Sequence, residues 1–280
     1  NCWLVQTDDY TCVEDLFTDK YAYFSSVSKQ WLIHAEKYVE SIIREIGLTK
    51  NSFVVEVASN DGYLLKNFLA EKISCLGIEP TASTADKAEE QGIPVCREFF
   101  GKELALKLEK EGKRADLIIG NNVLAHVPDI NDFSEGMKIL LKESGTITLE
   151  FPHLMELLKH KQFDTVYHEH FSYLSLFTVN KIFKNAGLKI WNVDILGTHG
   201  GSLRVYGCHL DFQREVSPIV NKIMLEEEQF GLHDLDIYNS FQEHVNNIKN
   251  DFLDFLIKQK KNGKRIAAYG AAAKGNTFLN

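Results

Sequence analysis

A chain of 280 residues with 31 basic and 39 acidic side chains has a formal net charge of −8. That argues against a nucleic-acid binder, which needs a basic face to neutralise phosphates. Its 44% hydrophobic content supports a sizeable core, and no apolar run nears the ~18 residues of a membrane span.

Residues 1–27 are aromatic-rich and irregular, with Trp3, Tyr10, Phe17, Tyr21, Tyr23 and Phe24. Across 29–46 the apolar side chains of Trp31, Leu32, Ala35, Tyr38, Val39, Ile42 and Ile43 recur at helical spacing, and Gly47 stands where a C-cap belongs. Strands are then predicted at 52–57, 74–79, 93–96, 115–120 and 145–151. Helices at 62–72, 82–91, 102–110 and 131–142 alternate with them. Such alternation predicts an α/β fold, a doubly wound parallel sheet with helices on both faces. Past Pro152 come a helix near 153–160, a helix at 178–186 closed by Gly187, and strands at 188–194 and 202–209. The polar stretch 212–260 reads as a helical connector between domains, and 264–270 as a new strand and turn. The five cysteines, Cys2, Cys12, Cys75, Cys96 and Cys208, are odd in number and irregular in spacing. They describe a reduced, cytoplasmic protein without a disulfide framework.

Two segments carry chemistry. The first is Glu56-Val57-Ala58-Ser59-Asn60-Asp61-Gly62, a strand end, a small-residue turn and a helix start. Doubly wound sheets hold nucleotides on such turns, with an acidic residue ending the next strand (here Glu79) on the ribose hydroxyls. A dinucleotide wants glycines near Ala58 and Asn60, and Asp61 at the helix N-terminus would repel its pyrophosphate. S-adenosylmethionine has no phosphate, and its amino and sulfonium groups welcome carboxylates, so Asp61 favours this cofactor over NAD. The plainer reading makes Asp61 an N-cap and Glu79 a solvated strand end. The segment 116–129, with Asn121, Asn122 and His126, resembles the post-strand segment of class I methyltransferases, which places the adenine near the two asparagines.

The second segment is Tyr167-His168-Glu169-His170, a phenol, a carboxylate and two imidazoles in four positions. In an extended chain Tyr167 and Glu169 face one way and the histidines the other. Imidazole is the commonest general base near neutrality. Proton removal beside a ketone also needs a donor for the enolate oxygen, and the segment contains both parts. A metal-binding His-x-His pair and a structural turn are the competing readings. His126 can serve packing alone, and Tyr21 reads equally as a core aromatic. Further on, Thr198-His199-Gly200-Gly201-Ser202-Leu203-Arg204 offers small residues, hydroxyls and a cation suited to a diphosphate-sugar, as does Lys274. A tight turn between strands is the alternative for the two glycines.

These blocks, with Cys2-Trp3-Leu4-Val5-Gln6, Tyr21-Ala22-Tyr23-Phe24-Ser25-Ser26, Tyr167-His168-Glu169-His170-Phe171-Ser172 and Gly270-Ala271-Ala272-Ala273-Lys274-Gly275-Asn276, resemble the S-adenosylmethionine-dependent sugar C-methyltransferases. The resemblance spans essentially the whole chain. It implies a three-part protein: 1–27 as the remnant of an N-terminal zinc module, 28–211 as a class I methyltransferase domain, and 212–280 as a helical connector opening a substrate-gripping C-terminal domain. Cys2 matches the last cysteine of the family's zinc site, and one cysteine cannot hold structural zinc, so no metal is expected. By position, His170 resembles the family's general base, with Tyr167, Glu169, His126 and Tyr21 around the reacting sugar. Glu56, Ala58, Asn60, Asp61, Gly62, Glu79, Asn121 and Asn122 are expected at the cofactor. His199, Gly201, Ser202, Arg204 and Lys274 are expected at a nucleotide-diphosphate sugar. Methylation of oxygen or nitrogen on a small molecule, and a non-catalytic cofactor- or sugar-binding module, are the alternatives. Oligomeric state is left open.

Overall fold

In the computed structural model, which describes residues 2–8, 23–270 and 273–280, helix α1 (Lys29–Ile46) forms where the apolar spacing places it. Ser28 accepts the Trp31 N–H at its start, Gly47 (φ 68°) closes it, and Ala35, Tyr38, Val39 and Ile42 make its buried stripe. The strands are β1 (Val5–Gln6), β2 (Phe53–Val57), β3 (Ser74–Ile78), β4 (Val95–Cys96), β5 (Ala115–Asn121), β6 (Leu141–Pro152), β7 (Ser172–Tyr173), β8 (Leu188–Leu196) and β9 (Ser202–His209). Helices α2 (Leu65–Ala70), α3 (Ala82–Glu90), α4 (Lys102–Lys110), α5 (Ile130–Leu140), α6 (Leu154–Lys159) and α7 (Leu176–Asn185) alternate with them. The chain continues through α8 (Pro218–Phe230), α9 (Leu235–Asn239), α10 (Phe241–Lys261) and α11 (Ala273–Leu279).

Seven strands form one sheet in the order β4-β3-β2-β5-β6-β9-β8. Strands β2 to β6 run parallel, because each crossover carries the chain back past the sheet. Strand β9 is antiparallel to both neighbours. The order reverses between β2 and β5, and ligands of such sheets bind outside that switch point. Alternate strand residues face opposite layers. Val55, Ile118 and Leu149 pack with α4, α5 and α7, and Val54, Leu117 and Ile119 with Tyr38, Ile42 and Phe68. Each such side chain contributes about 1.5–3 kcal/mol through burial.

Several boundaries differ from the sequence expectation. The helix expected from 62 starts at Leu65, because 61–64 complete the turn after β2. The stretch expected as a connector is three helices, and α8 buries Val220 and Ile223 in the main core. Helices α9 and α10 have no buried residue, and the long α10 fits a solvated connector. Residues 264–270 are exposed and form no strand among the described residues, since no neighbour offers a ladder for their backbone. Helix α11 instead folds back, stacking Phe278 near Phe163 (ring centroids 6.0 Å) and Phe252 (4.9 Å). No helix among the described residues is long and apolar enough to cross a membrane.

Candidate active site

The strand ends at the switch point carry the first half of the site. After β2 the backbone is left-handed at Ala58 (φ 57°), Asn60 (φ 50°) and Gly62 (φ 76°), which curls the loop. A Cβ at Gly62 would strike Ile93 Cδ1 and crowd Ala88, and one at Gly77 would strike Ser59 Oγ, so both glycines permit close approach. Glu79 braces the loop by accepting the Asn60 and Thr81 N–H groups, each at 2.9 Å. From outside, the segment before α1 straps across. Ser25 N–H donates to Asn60 Oδ1 (3.0 Å), Ser26 N–H to Asp61 Oδ2 (3.1 Å), and Asn60 Nδ2 to the Tyr23 carbonyl (3.1 Å).

The loop leaves buried acceptors unused. Glu56 Oε2, Asp61 Oδ1, Asn121 Oδ1 and Asn122 Oδ1 have no hydrogen-bond partner among the described residues. Buried acceptors without donors are costly, so this loop and strand end suit a ligand rich in donors. A cationic amino group meets that demand and a phosphate does not, so these residues fit S-adenosylmethionine.

The second half is the segment before β7. Tyr167–His170 is a turn closed by the His170 N–H on the Tyr167 carbonyl (3.0 Å). The expected extended arrangement, with Tyr167 and His170 on opposite faces, is therefore corrected: the turn brings their rings to 4.3 Å between centroids. His126 stands edge-on to His170 at 4.8 Å and Tyr173 at 6.1 Å. His170 Nδ1 lies 2.8 Å from the Thr165 carbonyl. A carbonyl only accepts, so the proton is on Nδ1 and Nε2 keeps its lone pair. Thr7 Oγ1 donates to the His170 carbonyl (2.9 Å), next to the β1–β7 ladder, so the N-terminal segment braces this turn.

Burial lowers the His170 pKa, opposed by the Thr165 bond and reinforced by Lys274 and His199. Burial and then His170 push His126 down to about 3, against a hydrogen bond with the Glu169 backbone. Burial, then the charges of Glu169, Asp164 and Tyr23, raise Tyr167 to about 12. Burial also raises Glu169. The cluster thus holds two neutral imidazoles and a phenol that keeps its proton. His168 is exposed. Among the described residues no three His, Cys, Asp or Glu side chains gather as metal ligands.

The expected sugar-binding residues divide. His199 (φ 51°) sits in the turn between β8 and β9 with Trp31 edge-on at 5.5 Å. Lys274 on α11 lowers the pKa of both His199 and His170, and His199 lowers that of His170, so the three groups lie within electrostatic reach of one another. Gly201, Ser202 and Arg204 serve the turn and the sheet instead. The Gly201 carbonyl accepts the His153 N–H (3.0 Å), and Ser202 Oγ donates to the Thr198 carbonyl (2.9 Å). Arg204 is only 5% exposed, pairs with Glu150 at 2.6 Å and lies 4.2 Å over the Tyr38 ring. The register sets Glu150 opposite Arg204, and a fully buried carboxylate demands that partner. The expectation that Arg204 supplies the cation for a diphosphate-sugar is corrected accordingly, since its guanidinium is committed to Glu150.

Tyr21 lies outside the described residues. Tyr23 takes a place beside Asp61 and Tyr167, each within electrostatic reach. Tyr23, Tyr63, Trp31 and Tyr173 were absent from the sequence-based site. The strap, a long-range contact, brings Tyr23 in, whereas Tyr173 follows His170 by three residues.

Residues 31–193 match the methyltransferase domain family, and residues 197–280 match the C-methyltransferase C-terminal domain family. The C-methyltransferase NovU of Streptomyces niveus is 32% identical over 278 residues, which is 99% of this chain and 66% of that protein. The chain thus spans about two-thirds of that relative's length. Among solved structures, the PH0226 protein of Pyrococcus horikoshii OT3 gives a TM-score of 0.55 at 16% identity, over 67% of this chain and 94% of that one. Magnesium protoporphyrin IX methyltransferase of Synechocystis PCC 6803, with bound S-adenosylhomocysteine, gives 0.50 at 14%, over 63% and 82%. At such identities the likeness is one of fold, the class I methyltransferase sheet.

Proposed function

Because the chain belongs to the methyltransferase domain family and carries the C-terminal domain of the C-methyltransferases, we propose that it transfers a methyl group from S-adenosylmethionine to carbon. The acceptor in this reading is the carbon beside the ketone of a nucleotide-diphosphate-linked keto-deoxysugar. The observation that carries it is His170, whose Nδ1–H is spent on Thr165 so that Nε2 is free to accept a proton beside Tyr167.

Glu56 and Asp61 would hold the cofactor's amino end, Glu79 its ribose, and Asn121 and Asn122 its adenine. Bound S-adenosylmethionine would supply an electrophilic methyl group on a sulfonium. His170 Nε2 takes the proton from the carbon beside the ketone. Tyr167, which keeps its proton, donates to the developing enolate oxygen, with neutral His126 beside it. Partial burial of the His170 ring would limit water there and strengthen these contacts. His199 and Lys274 would meet the diphosphate-sugar.

The test is incubation with S-adenosylmethionine and a panel of deoxythymidine-diphosphate-linked keto-sugars. A methyl group bonded to carbon in the product, read by NMR as a branched sugar, supports the proposal. A methoxy group in the product would point to O-methylation, and tight cofactor binding without turnover on any member to a binding module.

A further inference from the structure

The three carboxylates of the cofactor loop are unequal. Glu79 accepts two backbone N–H groups, and Asp61 accepts one from the strap. Glu56 is 1% exposed, and its Oε2 has no partner. The titratable groups that face it are Glu79 at the end of β3, Asp61 and Tyr63 in the turn, Cys75 on β3 and Tyr38 on α1. None of these is a cation. A lone anion in such a place lacks both water and a counter-charge, and the neutral acid is the species that tolerates it.

We infer that the loop is a proton-releasing site: Glu56 is a neutral acid in the free protein, and a cationic ligand entering against it expels its proton to solvent. The inference rests on the cofactor assignment above. Burial, then Glu79 and Asp61, hold the Glu56 carboxyl well above the ordinary carboxylate range, in keeping with this geometry. In the bond change, the Glu56 O–H breaks, its electron pair stays on the carboxylate, and the proton passes to water. The cofactor's ammonium then supplies the missing positive charge. The ligand prefers the ionised form, so affinity tightens as pH rises toward the free-state pKa and levels off above it, by up to about tenfold per pH unit. Loss of the ligand's own amino proton limits the useful range to below about pH 7.5.

Calorimetric titration of the full chain with S-adenosylhomocysteine, in buffers of different ionisation enthalpy between about pH 5 and 7.5, reads this directly. The expected result is release of up to about one proton per ligand and a dissociation constant that falls with pH. Glu56→Gln should bind more weakly with a flatter pH profile and little proton release. Binding by the wild-type chain without proton exchange, or an unchanged linkage in Glu56→Gln, would overturn the inference and leave the cofactor assignment standing. Failure of S-adenosylhomocysteine and S-adenosylmethionine to bind at any pH would overturn both. Should Glu56→Gln fail to fold, infrared difference spectra of the wild-type chain decide. A neutral-acid carbonyl band that disappears on binding supports the inference, and its absence from the free protein defeats it.

Discussion

At the scale of single residues, His170 is poised by one hydrogen bond and by what surrounds it. His170→Asn should lower methyl transfer by ~10²–10⁴-fold, the usual loss on removing a general base, while S-adenosylhomocysteine binding stays intact. Solvent exchange of the proton beside the ketone is the sharper readout. If the variant still exchanges at the wild-type rate, the base is another residue, with His126 next in line. The pH dependence has a definite sign. Burial depresses the His170 pKa, so the base form is present above that value and is lost as pH falls through it. The acidic limb of kcat/KM should therefore lie below the ~6.5 of a free imidazole. Lys274→Met removes a positive charge that disfavours the imidazolium, and it should shift the limb toward that value. A limb already at or above it in the wild type would remove desolvation from the account.

At the scale of elements, two polar devices fix pieces that apolar packing leaves loose. The first is Asn60, left-handed in the loop and bonded to both Ser25 and Tyr23 of the strap. Asn60→Ala loses those bonds and adds backbone strain, for a total of ~1–3 kcal/mol. Asn60→Gly should recover about 1 kcal/mol of it, since glycine is at ease there. Equal unfolding midpoints in urea for the two variants would rule out the strain contribution. The second is Glu227 on α8, fully buried. It accepts the Leu176 and Phe177 N–H groups at the start of α7 (2.6 and 2.9 Å) and lies 2.7 Å from His153 Nε2. One carboxylate therefore ties α8, α7 and α6 together. Glu227→Ala strands three buried donors, and we expect a loss of ~2–4 kcal/mol. A loss below about 0.5 kcal/mol, the range of an ordinary surface change, would mean that water replaces it.

At the scale of the whole molecule, His170 lies between parts that are far apart in the chain. Thr7 braces its carbonyl, Tyr23 approaches Tyr167, and Lys274 acts on it from α11. Deleting 264–280 should raise KM for the acceptor and move the acidic limb upward, as Lys274→Met does. Cofactor affinity should stay unchanged, because the loop is held by the strap and by Glu79. A truncated chain with wild-type KM would show that α11 does not serve the acceptor.

Local pattern settled the sheet and its helices, since strand and helix periods and the apolar stripe of α1 act over a few residues. It also settled the chemistry available, because Glu56, Asp61 and Glu79 fall at strand ends and Tyr167 to His170 are adjacent in the chain. The tertiary structure decided what each group does with its charge. The turn at Tyr167–His170 gathered rings that an extended reading set apart. Strand register turned Arg204 inward to Glu150, and the strand expected at 264–270 is irregular, followed by the returning helix α11. Tyr23 and Lys274 could not be read in as neighbours of the Tyr167–His170 turn, because their placement depends on contacts across more than a hundred residues. Side-chain identity is written in the sequence, but burial and pairing, which set protonation and orientation, arise only when distant segments meet.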